Sequence, residues 1–407
     1  MVKRTRHEWA FRARFRRKSF GWRSQPAVKR VKEAVSEIKK VARKDRVLGA
    51  EGAVLFLERV APALEQVDSS SGSIGTAVNK AIEALVPIIA AAPADEKTRG
   101  AWLERLWDAQ QEDAMPYIEL LGDEWGELCA SREVASEWAD RLLGICRMVW
   151  SPVENVRGFF TGITNCLSAL LVAERYTDVM DLLELEPYGM WHYRKYGVSA
   201  LTAMGEKGAA IRYAQDGRDA NAEPIAIARA CEEVLLSSGL ADEAYSRYGL
   251  VAARASTYLA WFRGVARKYP QKTPAEILGD LVELTPGEEG KWFAAAKHVE
   301  LFDEAIRLAY RSPCSPQTLT RAARDFADTN PSFALEAGMA ALHWLVEGYG
   351  YDITNVDVLS AHRFTMDAAK NAGCVEETHR RLRDLVANET WGERFVTKIL
   401  GRELGLA

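Results

Sequence analysis

The chain has 407 residues, 48% of them hydrophobic, and a formal net charge of −4. That supplies apolar material for a sizeable core, in two or three domains or one long repeat array. No apolar run approaches the roughly 20 residues of a membrane span; the longest candidate, residues 84–94, holds Pro87 and Pro93. Six cysteines (Cys129, Cys146, Cys166, Cys231, Cys314 and Cys374) are scattered with no C-x-x-C pair. This argues for reduced, buried thiols and a cytoplasmic location, against a disulfide frame or a zinc site.

The charge is unevenly placed. Residues 1–46 carry seventeen Lys and Arg against four Asp and Glu, leaving a body of −17 behind an arm of +13. The first 25 residues form a basic, aromatic arm without the apolar segment of a secretory signal. Nine basic residues interleave there with Trp9, Phe11, Phe15, Phe20 and Trp22. Rings that stack on bases beside cations that meet phosphates suit RNA or single strands. The candidate phosphate or acidic-partner contacts are Arg12, Arg14, Arg16, Arg17, Lys18 and Arg23, with Arg4 ahead of them. The competing reading, which the complementary charges favour, is an arm docked on its own acidic body.

A region of helices is expected over residues 26–150. Pro26 suits a first turn, and Val28, Val31, Val35, Ile38 and Ala42 form an apolar seam on an otherwise basic helix. A second helix pattern covers residues 47–66 and is perturbed by Pro62. Next comes Asp68-Ser69-Ser70-Ser71-Gly72-Ser73-Ile74-Gly75-Thr76, running into an apolar helix that Pro87 should kink or end. Ser69, Ser70, Ser71, Gly72, Ser73 and Gly75 are a candidate anion-binding turn, since a helix start presents free N–H groups. No strand precedes them and no Lys-Ser/Thr follows, so a capped helix–helix turn is favoured. Helices are predicted over 96–111, 116–129 and 131–149. Trp102, Trp107, Trp125 and Trp138 are either core or an aromatic groove for a peptide or ligand.

From residue 151 to 407 the helix punctuation is regular. Ser151-Pro152-Val153-Glu154, Thr273-Pro274-Ala275-Glu276 and Thr285-Pro286-Gly287-Glu288 read as capping boxes with proline at the first helical position. Ser315-Pro316 and Asn330-Pro331 are similar starts; Gly205, Gly239 and Gly373 read as helix ends. No stretch alternates with the period of a strand. Small-residue turns followed by an acidic residue and alanine recur near Tyr176, Ser238, Glu300, Ser332 and Gly373, in the manner of degenerate tetratricopeptide-like hairpins.

Several stretches carry a resemblance: residues 14–22, 67–72, Tyr269-Pro270, 285–297 (Thr285-Pro286-Gly287-Glu288-Glu289-Gly290-Lys291-Trp292-Phe293 onward) and 348–354. They resemble an uncharacterised bacterial family of large helical proteins with degenerate tetratricopeptide-like repeats. The resemblance implies an all-helical, repeat-like bacterial protein and transfers no active site.

Chemical motifs are sparse. The histidines (His7, His192, His298, His343, His362, His379) include no pair three or four apart, so no metal site or cofactor is expected. Glu119, Asp123 and Glu127 would line up on an unbroken helix, but Gly122 and Gly126 interrupt it. Cys314 and Cys374 read as structural thiols. The expected fold is all-α: helix hairpins stacked as an α-solenoid or an irregular helical array. The expected function is a non-enzymatic scaffold binding a peptide or protein; the alternative is a nucleic-acid-associated protein using the basic arm and the basic face of residues 29–44.

Overall fold

The computed structural model describes residues 7–151, 160–217, 224–390 and 392–406. Every regular element among them is helical. The chain divides into two compact units, residues 1–223 and 224–407.

The first unit opens with a 3₁₀ turn, Ala10–Ala13, followed by α1 (Ser24–Ala42), α2 (Arg46–Leu64), α3 (Ser73–Ala90) and α4 (Glu96–Gln111). A second 3₁₀ turn, Glu119–Leu121, leads into α5 (Trp125–Cys129) and α6 (Arg132–Val149). Then come α7 (Ile163–Val172), α8 (Tyr176–Glu184), α9 (Trp191–Ala203) and α10 (Lys207–Gln215). The boundary expected at 150/151 falls inside this unit, because α6 and α7 pack on each other across it. The capping box expected at Ser151–Glu154 lies outside the described residues beyond Ser151.

Pro62 and Pro87 both sit inside their helices and end neither at once; α3 continues to Ala90. That helix is long and apolar enough to cross a membrane, the sole described one that is. It is two-faced, however. Ile74, Val78, Ile82, Leu85 and Ile89 are buried against α1, α2 and α5, and Lys80 and Glu83 are exposed. The buried Arg99 guanidinium closes its end, donating to the carbonyls of Ile89, Ala90 and Ala92, and also to Leu128 at the end of α5.

The predicted 116–129 helix is broken. Gly122 and Gly126 are where α7 comes closest. A Cβ on Gly126 would strike the Ser168 carbonyl, and one on Gly122 the Thr164 hydroxyl. The carboxylate stripe therefore does not form. Asp123 turns inward to Lys195 and Tyr196 of α9.

The second unit contains α11 (Pro224–Leu236) and α12 (Ala241–Ala244), then a π-turn (Tyr245–Gly249) and α13 (Leu250–Ala252). It continues with α14 (Tyr258–Lys268), α15 (Pro274–Leu284), a 3₁₀ turn (Glu289–Trp292), α16 (Phe293–His298) and α17 (Phe302–Arg311). The last elements are α18 (Pro316–Phe326), α19 (Pro331–Val346), α20 (Asn355–Asn371), α21 (Val375–Ala387) and α22 (Phe395–Leu400). Thr273 and Glu276 form the predicted capping box of α15, and Ser315 and Asn330 cap α18 and α19 with proline next. The box predicted at Thr285 is absent. Thr285 ends α15; its hydroxyl donates to the Leu281 carbonyl and accepts from Trp292 Nε1 at 2.8 Å. Glu288 goes to Tyr258 and Lys291 instead of back to Thr285.

One helix joint recurs. A residue with positive φ ends a helix, and the next N–H bonds back to the carbonyl five residues before it. It occurs at Glu174, Gly205, Gly239, Glu300 and Gly373, where Arg175, Glu206, Leu240, Leu301 and Cys374 donate to Leu170, Leu201, Leu235, Ala296 and Ala369. Glycine takes this backbone without a Cβ clash; Glu174 and Glu300 take it as glutamates. The predicted echo at Ser332 is a different start, capped by Asn330.

Candidate functional site

The arm is the first candidate, and its described part packs on α1 and α2. Trp9, Phe11 and Phe15 are buried, and the last two meet Phe56 edge-on at 5.8 and 5.1 Å between centroids. Gly52 leaves the space that the Trp9 ring fills. Glu37 accepts the N–H groups of Ala10 and Phe11. Burying rings of this size is worth roughly 2–3 kcal/mol each, far more than the surrounding exposed ion pairs. Arg14 pairs with Glu33, and Arg17 and Lys18 with Glu65. Arg23 is exposed. Arg12 and Arg16 face a shared depression with Arg59, His7 and Glu8. The structure thus separates the arm's two halves: three of its rings are inside, unable to stack on bases, and its cations are outside.

At the serine turn, Asp68 accepts the Ser70 N–H at 2.9 Å, and the Gly72 N–H bonds to the Ser69 carbonyl. The hydroxyls of Ser71 and Ser73 bond to each other, and Ser73 reaches Ser24. Gly72 has φ +67° and Gly75 lies in the first turn of α3. The Asp68 carboxyl is held below its usual range by the Ser70 hydrogen bonds.

Trp107, Trp125 and Trp138 meet inside the first unit, and Trp138 also lines a hollow with Glu137 and Arg141. Trp125 lies 6.0 Å from Trp107 and 5.0 Å from Trp138, ring to ring. Trp102 is buried with its Nε1 on Glu51. Rings this large gain most by excluding water from each other.

Two other concave features stand out among the described residues, and the sequence pointed to neither. In the first unit a cavity of about 240 Å³ opens where the end of α4, the 113–119 turn and the starts of α7 and α9 converge. Phe160, Ile163, Pro116 and Tyr193 give it apolar walls; Gln110, Asp113, Glu119, Thr164 and His192 supply its polar groups. Asp113 organises the turn by accepting the Ile118 N–H at 2.9 Å, and burial raises its carboxyl pKa. Burial lowers the His192 imidazole pKa, against the charges of Asp123 and Glu119. Behind the wall the fully buried Asn165 donates to Gln110 at 2.8 Å and leaves its Oδ1 without a partner.

In the second unit, two adjoining hollows of about 320 and 660 Å³ share Pro316 and Gln317 and follow α18, α20 and the 348–353 turn. Arg321, Arg324 and Phe364 line one; Tyr349 and Tyr351 line the other. Tyr351 is 87% exposed, and Val356 nearby in sequence is 70% exposed.

Burial pushes Cys129 and Cys314 up to about 12, where the reactive thiolate is rare. Among the described residues no cluster of three or more His, Cys, Asp or Glu is placed to hold a metal ion.

Neither a protein-family model nor a curated protein matches the chain.

Proposed function

We propose that the protein is a non-enzymatic interaction protein: helix pairs, stacked as a degenerate helical repeat, present the groove along α18 and α20 to an acidic peptide segment. The observation that carries this reading is the continuity of the two hollows, with exposed Tyr349 and Tyr351 at one end and Arg321 and Arg324 along the other. Helix-lined grooves bind peptides through apolar anchors and flanking charge. Asp357, the carboxylate beside the arginines, is engaged by Thr354 in the α20 cap; Arg324 pairs with Asp325, and Arg321 bonds to Gln317 and Thr318, neither of them a carboxylate. The recurring joint supports the stacked-pair reading, since Glu174, Gly205 and Gly239 follow one another at intervals of 31 and 34 residues. Six free cysteines fit a reducing, cytoplasmic setting.

The test is selection of a displayed peptide library on the full chain and on an Arg321→Glu/Arg324→Glu variant. Acidic sequences enriched on the first and lost on the second support the reading. Equal enrichment on both sinks it.

A nucleic-acid role through the arm has one observation in its favour: Arg12, Arg16 and Arg59 line a common depression. A mobility titration with single-stranded RNA at two salt concentrations decides between the two. A salt-sensitive shift lost in Arg12→Glu/Arg16→Glu would move the function to the arm.

A further inference from the structure

We propose that the cavity between the 113–119 turn, α7 and α9 binds a small organic cation, a primary ammonium on an aromatic or branched apolar body. The lining defines the ligand class. Among the described residues that line it, the side chains of fixed charge are the carboxylates Asp113 and Glu119, with no Lys or Arg. Among the described residues the Glu119 side chain has no hydrogen-bond or ion-pair partner. Asp113 Oδ2 accepts the Ile118 N–H at 2.9 Å; burial disfavours its ionised form, the backbone N–H groups of Ile118, Met115 and Tyr117 favour it, and the charge of Glu119 adds a smaller push against it. Two carboxylates that feel each other beside apolar walls are relieved by a cation placed near both.

Among the described residues no group already fills that role. His192 stays neutral near pH 7, because burial lowers its pKa below the ordinary imidazole value. Lys195, three residues further along α9, is held by Asp123 at 2.8 Å. Tyr193 contributes a ring and a hydroxyl whose pKa burial raises, so it remains uncharged as well. The carboxylates rule against an anion. A neutral apolar guest would leave the Glu119 carboxylate unpartnered in the cavity mouth. The rings of Phe160 and Tyr193 favour a cation over a neutral guest by their negative faces. At about 240 Å³ the space is below that of drug-sized pockets, roughly 300–1,000 Å³, so the ligand is small.

The test is calorimetry and amide NMR on the full chain with phenethylammonium, benzylammonium and isobutylammonium, against 2-phenylethanol and phenylacetate as neutral and anionic counterparts. At least one ammonium should saturate, shifting amides of residues 113–119, 160–164 and 192–193. Phenylethanol should bind roughly tenfold more weakly or worse, and phenylacetate not at all. Glu119→Gln, at an exposed side chain without hydrogen bonds, should keep the fold and weaken the ammonium at least fivefold, on the order of 1 kcal/mol. Binding should also weaken as pH falls through the carboxylate range, where Asp113 protonates before an ordinary aspartate. Failure of all three ammoniums to saturate by about 10 mM overturns the proposal. So does phenylethanol binding as tightly as phenethylammonium, or Glu119→Gln leaving the affinity unchanged.

Discussion

Each unit buries a carboxylate against a Lys-Tyr pair. In the first, Lys195 Nζ lies 2.8 Å from Asp123 Oδ1, and the Tyr196 hydroxyl donates to the same oxygen. In the second, Lys268 and Tyr269 take one oxygen of Glu232 each, both at 2.6 Å. The settings differ. Asp123 sits in the turn before α5 with its side chain 17% exposed; Glu232 lies within α11 at 1%. Tyr245 stacks edge-on against Tyr269 and donates to Asp280, and Gly249 of the π-turn lies against the Tyr269 ring. In the second node Glu232 and Tyr269 are sealed from water while Lys268 reaches the surface. The first keeps a rim open to water, and its helix also supplies His192 and Tyr193 to the cavity. The same dipeptide on two helices thus yields a lock in one unit and, in the other, an anchor for a ligand-sized space.

The comparison breaks most visibly at Glu232. Glu232→Ala strands the buried Tyr269 hydroxyl and opens a void, although Lys268 can swing into solvent. The expected loss is about 3 kcal/mol of unfolding free energy, measured by urea denaturation. A loss below about 1 kcal/mol would mean the node is no fastener. Gly249→Ala comes next. The added methyl would stand 2.7 Å from the Tyr269 hydroxyl and 2.8 and 2.9 Å from its ring carbons. Repacking around a rigid, fully buried ring should cost about 2 kcal/mol; an unchanged denaturation midpoint would show that the π-turn can give way.

Neither node is visible in the sequence, for a physical reason. Asp123 and Tyr196 are 73 residues apart, Glu232 and Tyr269 are 37 apart, and no local period connects them. What was legible was local: the all-helical class, the Thr273 box, the starts at Ser315 and Asn330, and the ends at Gly205, Gly239 and Gly373. The box at Thr285 misled because two distant partners, Trp292 and Tyr258, claim its hydroxyl and its glutamate. The joints at Glu174 and Glu300 were half hidden because a glutamate holds the left-handed backbone that glycine would have announced. The tryptophan spacing could not tell core from groove, since both need apolar rings on one side of a helix. The cavity draws on three separate segments of the chain, so only the fold assembles it.

The open node should tolerate more. Asp123→Asn keeps an acceptor for Tyr196 and loses its charge beside Lys195, whose side chain is 36% exposed. A cost of about 1 kcal/mol is expected for a screened pair of this kind, well below that of Glu232→Ala. Equal costs would erase the distinction between lock and anchor.

The finest test is alkaline pH. Burial raises the Tyr196 and Tyr269 pKa values, and for each the hydrogen bond to its carboxylate and the carboxylate's charge raise it further. In the unfolded chain both ionise near pH 10. Above that pH the folded state retains protons that the unfolded state releases, so stability is fully present below pH 10 and falls as pH rises. Each tyrosine contributes a slope of at most about 1.4 kcal/mol per pH unit. Tyr196→Phe and Tyr269→Phe should each remove one such contribution from the unfolding free energy measured between about pH 10 and 11. If Tyr196→Phe leaves the slope unchanged while Tyr269→Phe flattens it, water reaches the first node's hydroxyl as well as its carboxylate. The first node would then be wetter than its hydrogen bonds imply, and the contrast between the two units would be larger than the exposure of their carboxylates alone indicates.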